Sequence, residues 1–303
     1  MQRNRITSIA AIGAAAAIAL TGCATGDQAE GGSGEGSGDS LGTITLGFLP
    51  SWTDGLSTAY LLEHQLEQLG YTVEMQELTE AGPLYTGLAQ GDVDIYPSAW
   101  PELTHASYME EYGDSIEDLG TYYEGASLNL SVPSYVEDVT SIDDLVGQAD
   151  RFGGRIVGIE PGAGLTAQTQ SMMPEAGLDD YELVTSSTAA MLAELDTAIA
   201  AERDIVVTSW APYWANASYD LRALEDPNGL MGGTEGLHFL ATAGFAEEFP
   251  EAAEYIAGIQ LTDEQYASLE DMVVNEYGEG REAEAIEAWL EANPDAYDTI
   301  VVE

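Results

Sequence analysis

The chain has 303 residues, with 54 acidic and 7 basic side chains, no lysine and a formal charge of -47. Such a surface repels nucleic acid and anionic lipid, and it repels itself until salt screens it; at about 1 M salt the Debye length falls to ~3 Å, so the composition fits a saline setting. The single cysteine excludes an intramolecular disulfide, and no H-E-x-x-H, paired-Cys zinc spacing or D-x-[DN]-x-[DN]-G calcium loop occurs.

Residues 1–22 read as a signal peptide: Arg3 and Arg5 precede an Ala/Ile-rich run that is too short to span a bilayer. Leu20-Thr21-Gly22-Cys23 comes next and looks like the lipobox of bacterial lipoproteins, which makes Cys23 the expected lipidation site. Residues 23–41 are rich in Gly, Ser, Glu and Asp and read as a flexible, lipid-anchored tether.

From there the pattern alternates. Strands are expected over 43–49, 72–78 and 92–96, with helices over 56–70 and 83–90 between them. This βαβαβ opening implies a parallel sheet with right-handed crossovers. A strand over 128–132 stops at Pro133, and Ser141 with Asp143 and Asp144 reads as a helix start. Residues 155–159 read as a strand followed by a glycine turn and a helix. Ser186 or Ser187 caps a helix through Ala200, and 205–207 read as the next strand. After about Gly236 the chain reads as helical.

Three short apolar runs deliver tryptophans: Trp52, Trp100 and Trp210. In open α/β sheets, ligands bind outside the carboxyl ends of the strands. Three indoles brought to that edge suggest an aromatic box, the usual receptacle for a quaternary ammonium ion; packing in the core is the alternative for each. The Gly162-Ala163-Gly164 turn offers unpaired N–H groups at a helix start, where an anion can sit, but its spacing is not that of a dinucleotide fold. His105 starts from the same strand tip as Trp100. No G-x-S-x-G occurs, and His64 and His238 lack an evident serine partner, so hydrolytic chemistry has no nucleophile.

These residues, with Val132-Pro133-Ser134-Tyr135-Val136, Gly158-Ile159-Glu160-Pro161-Gly162-Ala163-Gly164, Ser186-Ser187-Thr188-Ala189-Ala190-Met191 and Val207-Thr208-Ser209-Trp210-Ala211-Pro212-Tyr213-Trp214, resemble the glycine betaine-binding proteins of osmoprotectant ABC importers. The resemblance implies an α/β, two-lobed periplasmic-binding-protein-like fold of type II, with ligand in the inter-lobe cleft. Lobe 1 is expected over 42–130 plus 237–303, and lobe 2 over 131–236. It also implies that Trp52, Trp100 and Trp210 surround a trimethylammonium group while the N–H groups of Gly164 and Leu165, with His105, hold a carboxylate. No enzymatic activity and no cofactor are implied. The implied partners are glycine betaine or a related zwitterion and the ABC permease and ATPase subunits, at the extracytoplasmic face of the membrane. Proline betaine, carnitine or choline as ligand, or a sensory surface lipoprotein, are the alternatives. One departure stands out: the family often has His where this chain has Tyr213.

Overall fold

A computed structural model describes residues 40–294. The signal-peptide, Cys23 and lipobox expectations lie outside the described residues. In chain order the elements are β1 (Thr43–Phe48), α1 (Thr53–Gln68), β2 (Thr72–Glu77), α2 (Ala81–Gln90), β3 (Ile95–Ala99), α3 (Ala106–Tyr112) and β4 (Ile116–Pro133). Next come β5 (Arg155–Val157), α4 (Gly164–Glu175), β6 (Glu182–Val184), α5 (Thr188–Ala200), β7 (Val207–Ala211), α6 (Trp214–Ser218), β8 (Leu221–Ala223) and β9 (Thr234–Thr242). The helices α7 (Phe245–Glu248), α8 (Pro250–Ala257), α9 (Asp263–Asp271) and α10 (Glu282–Ala292) close the described chain.

The described strands form one mixed sheet in the order β2-β1-β3-β9-β4-β7-β5-β6, with β8 pairing β4. The expected parallel opening is present, since β1 lies parallel to both β2 and β3. A second parallel set, β7-β5-β6, lies at the other end. Between them, the long strands β9 and β4 run antiparallel to their neighbours. β4 is 18 residues long and changes partner along its length. Its first part pairs with β9; from Ser127 onward it pairs with β7. Bulges near Gly120 and Tyr123 interrupt the β9 ladder and bend the strand.

Several sequence expectations are corrected by the structure. Residues 128–132 are only the last part of β4. The polar, glycine-interrupted segment before it shows no clean alternation, because β4 borders different neighbours along its length. The chain after Gly236 is not helical at once. Its apolar residues Leu237, Phe239, Leu240 and Ala241 are buried within β9, and helices begin only at Phe245. Ser141 does cap a helical start, with its side chain accepting from the Asp143 N–H and Asp144 closing a capping box. The cap leads into two 3-10 turns, over Ile142–Leu145 and Ala149–Phe152, instead of an α-helix. β3 starts at Ile95, later than expected, because Asp92 and Val93 still donate to the Gly87 carbonyl at the end of α2. Gly91 supplies the left-handed residue that this cap requires, with φ 75°.

The core is continuous through the sheet. Tyr122 on β4 and Phe239 on β9 stack with centroids 4.6 Å apart, both buried. Late in the chain, α10 returns to pack on α1. Its fully buried Trp289 gives its indole N–H to the Ser268 hydroxyl at 2.9 Å.

Candidate functional site

The three tryptophans meet in one cavity. Trp52 is the N-cap of α1, Trp100 follows β3 directly, and Trp210 lies inside β7, one residue before its end. The cavity is also lined by Asp54, Thr104, His105, Leu128, Ile159, Ala163, Gly164 and Leu165, and offers about 350 Å³ of space between protein atoms, part of it open to solvent. All six residues singled out from the sequence line it. Asp54, Thr104, Leu128, Ile159 and Ala163 were missed. Thr104 and Ala163 adjoin chosen residues, and Asp54 sits two residues past Trp52, so proximity was the available signal.

Each indole is held differently. Trp100 Nε1 donates to Asp54 Oδ2 at 3.1 Å, and Ser98 Oγ donates to the same oxygen at 2.7 Å. Ser98 Oγ also lies 2.7 Å from the Tyr122 hydroxyl, which ties this end of the cavity to the core. Burial pushes the Asp54 carboxyl above the ordinary value of 3.8, against these hydrogen bonds. Trp52 Nε1 donates to Glu160 Oε2 at 3.2 Å. Trp210 has no hydrogen-bond partner for its buried Nε1 among the described residues and leans on Tyr213 instead.

The start of α4 also lines the cavity. Gly164 and Leu165 open α4, where the first N–H groups of a helix have no intrahelical acceptor. Gly164 is required by close approach: a Cβ there would overlap the Thr104 carbonyl oxygen. Facing this helix start, His105 is buried to 2% exposure among Trp52, Tyr85, Tyr96 and Tyr108. Burial in that shell lowers the imidazole to about 3, so the ring is neutral at ordinary pH. Its Nδ1 accepts the Trp100 N–H at 3.3 Å, which assigns the proton to Nε2 as a donor. The loop that carries His105 is itself anchored at 3.0 Å by Leu103 and Thr104 N–H groups donating to Glu235 at the start of β9.

A cavity lined by three indoles, a buried neutral imidazole and a helix start, between the two parallel ends of one sheet, suits a small solute. The family described as the substrate binding domain of ABC-type glycine betaine transport systems matches residues 42–292, and the chain belongs to that family. The family binds solutes for ABC transporters; it is not an enzyme family. The chain is 38% identical over 145 residues to the glycine betaine/carnitine transport binding protein of Listeria monocytogenes, a match covering 46% of this chain and 46% of that protein. The chain thus spans under half the length of this curated relative. Among solved structures, a glycine/betaine/L-proline-binding protein of Borrelia burgdorferi is 32% identical with a TM-score of 0.79, covering 86% of this chain and 97% of that one. Lactococcal OpuAC, closed on glycine betaine, is 31% identical with a TM-score of 0.77, covering 86% and 99%. The fold is accordingly the two-lobed, type II periplasmic-binding-protein arrangement, with the cavity in its cleft.

Proposed function

We propose that this protein captures glycine betaine outside the cytoplasm and hands it to an ABC permease with its ATPase. The observation that carries this reading is the single cavity in which three indoles face a neutral His105 and the start of α4. A quaternary ammonium ion has no N–H to donate. Aromatic faces attract it by about 0.5–2 kcal/mol each when dry, without a carboxylate that must be desolvated. Trp52, Trp100 and Trp210 take the trimethylammonium group; Gly164 N–H, Leu165 N–H and His105 Nε2 take the carboxylate. Three ring faces and three donors suffice for micromolar binding, about -8 kcal/mol.

The donor wall favours a betaine over choline, which has no carboxylate and leaves those donors unpaired. Lobe 1 is proposed over 42–130 plus 237–303 and lobe 2 over 131–236, so that Trp52 and Trp100 approach Trp210 and α4 from opposite sides. The lipobox-like Leu20 to Cys23 supports a lipid anchor through Cys23, and Cys23→Ala is expected to release the protein from the membrane fraction. Among the described residues no helix is long and apolar enough to cross a membrane.

Calorimetry with glycine betaine, proline betaine, carnitine and choline tests the reading. Glycine betaine is expected to bind tightest. Trp100→Ala is expected to lose about 1–3 kcal/mol, a 5- to 150-fold weakening. His105→Ala is expected to narrow the gap between betaine and choline. Equal affinity for choline and betaine in the wild type overturns the assignment of the donor wall.

A further inference from the structure

Glu160 is buried to 6% exposure, one residue beyond the lining residue Ile159, and is not itself in the cavity wall. It leaves β5, at the β7-β5-β6 end of the sheet. Its carboxylate receives four donors in a crossed arrangement. Oε1 accepts Thr188 N–H at 2.9 Å and Ser51 Oγ at 3.3 Å. Oε2 accepts Thr188 Oγ1 at 2.9 Å and Trp52 Nε1 at 3.2 Å. Thr188 opens α5, close to Glu160 at the same end; Ser51 and Trp52 follow β1 at the far end. Each carboxylate oxygen therefore joins the two ends of the sheet.

On its own side of the sheet, Glu160 is held independently of Ser51 and Trp52. Its carbonyl accepts Ala163 N–H at 3.1 Å and Thr166 Oγ1 at 2.8 Å, while Thr188 orients the carboxylate. The remaining lone pairs point across the cleft to the indole that forms one wall of the cavity. A carboxylate accepts such bonds strongly because it is ionised, and a buried one left half-paired is costly.

We infer that Glu160 is a positioning residue for solute capture: it sets the plane of the Trp52 indole and couples assembly of the aromatic box to closure of the cleft. The inference rests on the reading of the cavity as a quaternary-ammonium site. Glu160 bonds the Trp52 indole and none of the proposed anion donors, so its loss weakens ligands with and without a carboxylate. In this it differs from His105, which acts on the anion.

The test is a double-mutant cycle with Glu160→Gln, Trp52→Phe and the pair, titrated with glycine betaine and with choline. Gln keeps the shape but turns an N–H₂ toward donors; Phe keeps an aromatic face but removes the indole N–H. Glu160→Gln is expected to weaken both ligands by one common factor, about tenfold to a hundredfold. The pair is expected to be little weaker than either single variant, because both remove the same bond. Solution scattering should show less contraction on ligand addition in both single variants than in the wild type. Additive losses, or Glu160→Gln binding within twofold of wild type, overturn the inference while leaving the betaine reading intact. A wild type that binds no quaternary amine overturns that reading and this inference together. If ligand-free melting shows that Glu160→Gln does not fold, Trp52→Phe decides: wild-type affinity with full contraction overturns the inference.

Discussion

Trp210 and Tyr213 lie nearly face to face, with ring centroids 3.8 Å apart and planes 25° apart. The Trp210 side of the cavity is thus held by a ring stack, whereas Trp52 and Trp100 are held by carboxylates. Tyr213 is buried and its hydroxyl has no hydrogen-bond partner among the described residues. Tyr213→Phe is expected to keep glycine betaine affinity within twofold and to leave the melting temperature unchanged or higher, since an unpaired buried hydroxyl costs about 1–3 kcal/mol. Tyr213→Ala removes the support and is expected to weaken binding about tenfold, an aromatic pair contributing ~0.5–1.5 kcal/mol beyond its packing. Calorimetry and thermal melts on the two variants check this; equal effects of Phe and Ala would place the role on the hydroxyl.

Gly164→Ala tests the close approach of α4 to Thr104. The added methyl would overlap the Thr104 carbonyl oxygen, a backbone atom that cannot swing away. The cleft must then stay wider by the amount of the clash. Overpacking of this kind typically costs about 1–3 kcal/mol, so a 5- to 150-fold loss of affinity is expected for betaine and choline alike. The ligand-free melting temperature should stay near that of the wild type, because an open cleft relieves the contact.

Two buried groups are expected to give stability a pH optimum. His105 is held down at about 3 by burial, below its ordinary 6.5, so between those values the unfolded chain binds the extra proton. Stability from this group is complete above about pH 6.5 and is lost as pH falls toward 3. Glu270 is pushed up to about 8 from 4.5, mainly by burial, while the Thr53 hydroxyl donates to it. The native chain holds that proton longer, so stability from Glu270 is complete below 4.5 and is lost as pH rises through 8. Between 4.5 and 6.5 the two slopes oppose each other. Thermal melts should therefore be highest in that window. His105→Gln is expected to flatten the acid limb and Glu270→Gln the alkaline limb; unchanged limbs in both variants would assign the slopes to other groups.

A net charge of -47 makes self-repulsion the dominant long-range force on this chain. Among the described residues, four arginines are already engaged, Arg281 with Glu284. Arg151 bridges Asp138 and Asp204, Arg155 pairs with Glu194, and Arg222 donates to the carbonyls of Ser134, Val136, Glu137 and Val139. Raising sodium chloride from low concentration to about 1 M shortens the Debye length to ~3 Å, so the melting temperature is expected to rise markedly without ligand. A flat response would show that the acids do not limit stability.

The cavity was more legible in the sequence than the sheet. Trp52, Trp100, His105, Gly164, Leu165 and Trp210 sit at strand ends and in one glycine turn, where short-range patterns report position directly. β4 and β9 were misread for a common reason. A strand shared between neighbours of different character loses the period-2 alternation that marks half-buried strands, and Leu237 to Ala241 form a continuous buried run that reads equally as helix. Ser141 shows a different limit, since capping chemistry specifies that a helix starts and not whether it proceeds as α or 3-10. Glu160 was visible within its motif, but nothing local gives it Trp52 as a partner 108 residues earlier.

The unbroken passage of β4 from β9 to β7 has a bearing on how such proteins diversify. The rings of Trp52 and Trp100 hang from one end of the sheet, and Trp210 and the start of α4 from the other, but a single strand serves both. No cut between the ends leaves each with a complete set of ladder bonds. Exchanging one half between relatives would carry a severed ladder with it, so grafting a new half of the cavity lining onto an old one is mechanically discouraged. Change in ligand preference is then expected through point substitutions around the existing cavity, with both walls inherited as one piece.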